Sequence, residues 1–344
     1  MPQRERIDLY DVAAWPNLEA ALWQAARGKR ARPDVAAFLA DAQPGLNRLR
    51  AALQGGRLPD GSLRRFAIRD PKPRIIHAAP FIDRIAHHAL VRLMEPRLER
   101  ALLPTSFACR SGRGVHAALL YAQDLMRQRP LAWTLKLDVE HFFPNIEHVR
   151  LLALLRRRFK GSAMRLVENI VHGHASAPGR GLPIGSLTSQ HFANQYLGEL
   201  DRAALARPEC LAHLRYMDDL VLWCPSLDAA RALHGYLAAF ARDDLALTLK
   251  PPAIQRCDRG LALCGMRLGP RGIRLGLRRQ RAWRQHWRAA RERWLGGVDD
   301  DNAHQRACDM LRALALPASA ARWQRGVMAH WPVDADGRLP EPGP

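Results

Sequence analysis

Lysine is nearly missing from this chain. Five of its 344 residues are lysine (29, 72, 136, 160 and 250), and the other 48 of its 53 basic residues are arginine. Acidic residues are also scarce, 33 in all, which leaves a formal charge of +20 and a pI near 11.0. No apolar run approaches the ~20 residues that cross a bilayer, so no membrane association is expected. The N-terminus carries Arg4, Glu5, Arg6, Asp8 and Asp11 with no apolar stretch among them. A signal peptide is therefore not expected there, and a cytoplasmic location is. None of the six cysteines (109, 210, 224, 257, 264 and 308) falls in a CxxC or CxxxC spacing, which removes the usual signs of a zinc ribbon or a redox pair. No internal repeat is visible.

What is present points to a folded, anion-binding protein. With 48% apolar and 25% charged residues the chain can bury a substantial core, enough for two or three packed units. A surplus of guanidinium groups, planar forks suited to phosphate, repels itself unless a polyanion screens it, and nucleic acid is the natural candidate. Apolar spacing predicts helices over 17–55, 81–102, 114–128, 147–158, 162–171, 188–206 and 227–241. Residues 64–76 alternate basic and apolar around Asp70-Pro71-Lys72-Pro73, as a hairpin with a charged tip would. Strands are predicted at 131–138, 213–216, 220–223 and 245–249. The prolines and glycines of 177–185 predict a loop.

Two features carry chemistry. Tyr216-Met217-Asp218-Asp219 stands between two apolar strands as a tip of adjacent carboxylates, which repel one another unless a cation sits beside them. Alone it reads as a solvated turn. Asp138, however, ends the strand 132–138. If the 213–223 hairpin lies beside that strand, carboxylates from separate strands converge on one sheet edge. That arrangement supplies hard oxygen ligands for two Mg²⁺ ions and leaves positions open for phosphate.

These residues resemble reverse transcriptases. Tyr216–Asp219 is similar to motif C, and 137–146 (LDVEHFFPNI) to motif A. Residues 64–76 resemble the fingers motif, 106–114 (SFACRSGRG) the block after it, 181–197 motif B, 247–252 (LTLKPP) motif D and 263–269 (LCGMRLG) the primer-grip motif E. The blocks run in order over roughly residues 60–275. The resemblance implies an α+β right-hand polymerase. Its helical N-terminal extension would cover 1–60 and its fingers 61–130. A palm with a ferredoxin-like antiparallel sheet would cover 131–268, with a fingers segment at about 147–185, and a helical basic thumb and tail 269–344. It implies an RNA-directed DNA polymerase using two Mg²⁺ ions, a template RNA, a cDNA primer and dNTPs, and it allows a small basic accessory protein.

Roles transfer by motif. Asp138, Asp218 and Asp219 would be catalytic, with the Val139 carbonyl beside them at the metal. Phe143 matches the aromatic gate against a ribose 2′-hydroxyl, with Phe142 the alternative. Lys72 and Arg74 match the grip on the incoming triphosphate, and Lys250 the lysine that protonates pyrophosphate. Arg110 and Arg113 are candidates for template phosphates or else decorate a turn. Motif B reads Ile184-Gly185-Ser186-Leu187-Thr188-Ser189-Gln190, an IGxxxSQ that resembles diversity-generating retroelements, whereas retroviral and group II intron enzymes usually read QGxxxSP. In that family an apolar residue in place of Gln accompanies misincorporation at template adenines, and Ile184, Gly185 and Gln190 would line the nucleotide. An antiphage-defence, retron or group II intron-like enzyme is the alternative. A non-catalytic nucleic-acid binder would have no need of the carboxylates.

The C-terminal region is read from its residues. Between Arg271 and Trp294 stand nine arginines and one acid, Glu292, with Trp283, Trp287 and Trp294 at helical spacing. Arg278, Arg281, Arg284 and Arg288 are the candidates there for tracking a template–primer backbone. Asp299-Asp300-Asp301 reads as a solvated cluster, and His172 and His174 as loop residues.

Overall fold

Apolar side chains at helical spacing shape the first fifty residues. A short strand β1 (Glu5–Arg6) leads into α1 (Leu9–Val12), α2 (Trp15–Ala26), α3 (Pro33–Ala40) and α4 (Ala42–Gln54). Prolines in the first turns of α2 and α3 suit helix starts, where a missing N–H costs no bond. Leu18 and Leu22 of α2 and Leu46, Leu49 and Leu53 of α4 are buried. The extension is not purely helical, because β1 pairs in parallel with a later strand. The basic–apolar alternation forms β2 (Arg64–Arg69) and β3 (Pro73–Ala78), antiparallel with Phe66 opposite Ile76. The long α5 (Phe81–Ala101) and α6 (Val115–Leu125) follow. The computed structural model describes residues 4–69, 73–128, 132–269, 272–278, 280–282, 284–285 and 289.

The middle of the chain builds the sheet. β4 (Trp133–Leu137) is followed by α7 (Phe142–Asn145), α8 (His148–Arg156), β5 (Phe159–Lys160, the partner of β1) and α9 (Met164–His172). Then come α10 (Leu187–Leu205), β6 (Ala212–Tyr216), β7 (Asp219–Cys224), α11 (Leu227–Leu245) and β8 (Ala253–Arg256). The four strands lie in the order β6-β7-β4-β8, every neighbour antiparallel. Leu135 stands between Leu222 and Ile254 in this register. The path is thus strand, helices, hairpin, helix, strand, with the first strand second from one edge.

Both faces of this sheet are covered. Leu135, Leu137, Leu220 and Leu222 pack into the larger core shared with α10 and α11. Leu214, Val221 and Trp223 face a second core formed by α6 with β9 (Leu261–Leu263), β10 (Met266–Gly269) and β11 (Gly272–Leu275). Strands buried on both faces read as unbroken apolar runs, as 220–223 does. Among the described residues no helix is long and apolar enough to cross a membrane, and none of the five described cysteines is in a disulfide.

Three expectations need correction or restriction. Residues 245–249 are not a strand. α11 runs on to Leu245 and closes on Ala246 in the left-handed conformation (φ 51°), and only Leu249 bridges back, to Val139. Pro251 and Pro252 cannot donate to a ladder, so pairing resumes at Ala253. His172 closes helix α9 instead of lying in a loop. Residues 277–278, 280–282, 284–285 and 289 are helical, whereas Arg288, the tryptophans at 283, 287 and 294, and the aspartates at 299–301 lie outside the described residues.

Candidate active site

Strand pairing brings the carboxylates together. Leu137 pairs with Leu220, so one further step along the register sets Asp138 alongside Asp219 at the hairpin tip. Tyr216 pairs with Asp219, leaving Met217 and Asp218 as the two tip residues. Neither is glycine, and Met217 takes a positive φ of 57°. Burial raises the Asp218 carboxyl above its ordinary value of 3.8, and the neighbouring charges of Asp138 and Asp219 raise it further. Lys250 opposes them.

Two lysines reach into this cluster. Lys250 Nζ stands 2.7 Å from Asp138 Oδ2, and its backbone N–H donates to the Asp138 carbonyl at 2.9 Å. Lys136 Nζ stands 2.9 Å from Asp219 Oδ1 and donates to the Ala262 carbonyl at 3.3 Å. The other Asp138 oxygen, Oδ1, is enclosed and accepts no hydrogen bond. Three carboxylates thus face two ammonium groups, and the enclosed, unpartnered oxygen leaves room for further positive charge. Carboxylate oxygens, with the Val139 carbonyl next in the chain, are the donor set that Mg²⁺ takes. The residues therefore fit such an ion, although among the described residues no three His, Cys, Asp or Glu side chains already stand in a ligating group. Lys136 and Lys250 occupy two of the carboxylate oxygens instead.

The surroundings sort the remaining candidates. Phe143 is half-buried at the start of α7, with its ring 5.4 Å from that of the buried Phe142. Gln190, in the first turn of α10, accepts from Cys109 Sγ at 3.4 Å, and the same sulfur lies 3.7 Å from Met217 Sδ. The Ile184 carbonyl accepts from His77 N–H at 2.9 Å, tying motif B to the base of the β2–β3 hairpin. Gly185 has φ 110°, and a Cβ there would stand 3.0 Å from Ile76 Cγ2. Arg74 is exposed on β3, and Lys72 lies outside the described residues. Arg113 is exposed and donates to the Pro104 carbonyl. Arg278, Arg281 and Arg284 are exposed.

Arg110 is a correction. Its side chain is 7% exposed, pairs with Glu99 at 2.6 Å and donates to the carbonyls of Leu103 and Ser106 at 2.7 Å. Its donors are spent closing the turn after α5, so it is not a template-phosphate contact.

Comparison with known proteins decides the family. Residues 69–259 match the reverse transcriptase (RNA-dependent DNA polymerase) family, more than half of the chain and all of the four-stranded sheet. The chain belongs to this family. Protein YkfC of Escherichia coli (strain K12) is 29% identical over 131 residues, 35% of this chain and 34% of that protein. The chain thus spans about a third of the curated relative it matches.

Two residues of this reverse transcriptase domain escaped sequence reasoning. Lys136 is two residues before Asp138, hence on the same face of the strand, and it is one of only five lysines. Arg215, one residue before Tyr216, is 1% exposed. A charged residue inside an apolar strand must have a partner, and that was the available signal for both.

Proposed function

We propose that this chain is a Mg²⁺-dependent RNA-directed DNA polymerase that copies a template RNA into cDNA from a primer and dNTPs. The observation that carries the reading is the meeting of Asp138, just past the end of β4, with Asp218 at the tip of the β6–β7 hairpin, where Asp138 Oδ1 is enclosed and unpartnered and Asp218 is desolvated. In this reading the four-stranded sheet is a ferredoxin-like palm over 131–268. The β2–β3 hairpin belongs to fingers over 61–130, and the exposed arginines after β11 begin a basic thumb. When bound, two Mg²⁺ ions would activate the primer hydroxyl and neutralise the leaving pyrophosphate.

The protein's own groups do the rest. Asp138, Asp218 and the Val139 carbonyl would hold the ions, and Asp219 is held by Lys136. Lys250 keeps a proton at the Asp138 carboxylate, within the site where a leaving phosphate needs one. Phe143 forms the floor under the sugar, where a 2′-hydroxyl would collide. Arg74, with Lys72, meets the triphosphate, and Arg113, Arg278, Arg281, Arg284 and Arg288 meet nucleic-acid backbone. Asp218→Asn and Asp138→Asn should each lower dNTP incorporation on a primed RNA by at least about a hundredfold. RNA binding, read by filter retention, should be unchanged. Activity preserved in both variants would refute the mechanism.

The finer reading is an error-prone enzyme of a diversity-generating retroelement, acting with a small basic accessory protein. Ile184 supports it, since an apolar side chain near the templating base offers no hydrogen bond to discriminate with. Sequenced cDNA should show errors concentrated opposite template adenine, and Ile184→Gln should reduce them. A spectrum equal across the four bases would remove this assignment and leave the polymerase reading intact.

A further inference from the structure

Arg215 sits in β6, among Leu214 and the paired strand's Leu220, Val221 and Leu222, and is 1% exposed. Its Nε donates to both carboxylate oxygens of Asp201, on α10, at 2.8 Å. Asp201 is fully buried. Burial would raise its carboxyl, but Arg215 and His213 outweigh that and hold it below its ordinary value. Arg215 also donates from Nη1 to Asn194 Oδ1 at 2.8 Å and to the Met217 carbonyl at 3.1 Å, and from Nη2 to the Asn194 carbonyl at 3.3 Å. Asn194 Nδ2 donates in turn to the Ala108 carbonyl at 2.9 Å. His213 joins Asp201 (3.1 Å) to Thr105 Oγ1 (2.7 Å).

We propose that Arg215 is a positioning residue of the polymerase reaction: clamped by Asp201 and Asn194, it holds the Met217 carbonyl and so fixes where the Asp218 carboxylate stands. The proposal rests on the reading of Asp218 as a metal-holding carboxylate.

Three observations support it. A buried ion pair is weak evidence of a stability role, because apolar replacements of similar volume often serve as well. A charge at this position in an apolar strand therefore calls for another reason. Met217 is a non-glycine residue at positive φ, a conformation that persists only where the surroundings over-determine it. Arg215 supplies that constraint from below, while Cys109, itself at φ 54°, packs on the Met217 sulfur from above. Finally, the network joins three elements around the carboxylates. These are the hairpin tip, the helix that carries Gln190, and the 105–109 loop, which Arg215 also holds through its backbone N–H to Thr105 and its carbonyl to Phe107 N–H. A shift of α10 on nucleotide binding would pass through Asn194 to the tip.

The test uses the full chain on a short primed RNA. Asn194→Ala leaves the Arg215–Asp201 pair intact, and Arg215→Lys keeps the charge while losing the fork that reaches Met217. Each should fold with a Tm near that of the parent and bind template–primer equally. Each should lose about tenfold in kcat and need several times more Mg²⁺ for half-saturation, the range seen when groups supporting a metal ligand are removed. A Mg²⁺ titration that superimposes on the parent's, or a kcat loss matched only by a fall in Tm, would overturn the proposal. Asp218→Asn runs beside them. If it is inactive while the Mg²⁺ curves of the other two are unchanged, the inference alone fails. If it is active, the reading beneath it fails as well.

Discussion

The chain holds two hairpins of similar length built on opposite principles. The β6–β7 hairpin lies in a four-stranded sheet with both faces covered, and a buried guanidinium supports its tip from below. The β2–β3 hairpin is a sheet of two strands, exposed along most of its length, with Phe66 41% and Ile75 47% exposed. Two strands alone are marginal in water. Among its described residues it is tied at its base to the segment before α10, where His77 meets Ile184 and Ile76 meets Gly185. A carboxylate that must stand within a fraction of an ångström of a reacting phosphate needs the first kind of support. In the proposed reading Arg74 meets a triphosphate only after it arrives and can use the second, because the ligand supplies the missing contacts.

That contrast is sharpest in stability. Asp201→Asn should be the most damaging substitution, because it leaves Arg215 charged and buried without its counter-ion, at a cost of about 3–5 kcal/mol. Ile75→Ser, on the exposed hairpin, should change stability by less than ~0.5 kcal/mol. Denaturant unfolding of the two variants checks the comparison. If they are equally stable, the two hairpins are not held differently.

The hairpins also differ in how readily sequence revealed them. Both were legible as strand pairs, one from basic–apolar alternation and the other from apolar runs flanking Asp218-Asp219. The nearness of the acids to one another was legible because Asp138 ends a strand that the apolar pattern sets beside the Asp218-Asp219 hairpin. The supports were not. Arg215 and Lys136 stand inside strands, where pattern reading treats a charge as an interruption, and their partners Asp201 and Asp219 lie 14 and 83 positions away. The 245–249 segment misled for a local reason. Leu247 and Leu249 alternate like a strand, but α11 extends to Leu245 and two prolines follow. Arg110 misled because glycines around a basic pair suggest a phosphate turn, whereas its guanidinium closes on Glu99 and two carbonyls.

The joint between the exposed hairpin and motif B gives the next effect in size. Gly185→Ala places a Cβ 3.0 Å from Ile76 Cγ2 at a φ of 110°, where side chains are strained. A cost of roughly 1–3 kcal/mol is expected. Because β3 gives way more easily than the sheet, the hairpin should move, and KM for dNTP should rise more than kcat falls. A kcat loss at unchanged KM would mean that the strain is passed to the carboxylates instead.

The smallest effect concerns the carboxylates themselves. Asp218 has its carboxyl raised above 3.8 by burial and by Asp138 and Asp219, so the folded state holds this proton more tightly than the unfolded chain does. Its contribution to stability is therefore most favourable at low pH. It declines as pH climbs from 3.8 through the raised value, and is unfavourable at neutrality. Asp218→Asn removes that titration. In metal-free buffer at neutral pH the variant should unfold at a slightly higher temperature than the parent, and the gap should close near the acid end of that window. Mg²⁺ should reverse the order, since an ion bound only by the folded parent stabilises it by mass action. Melting curves at neutral and acid pH, with and without Mg²⁺, read all of this. An Asn variant less stable than the parent at neutral pH without metal would show that Lys136 and Lys250 already neutralise the site, and that the tip is not waiting for a cation.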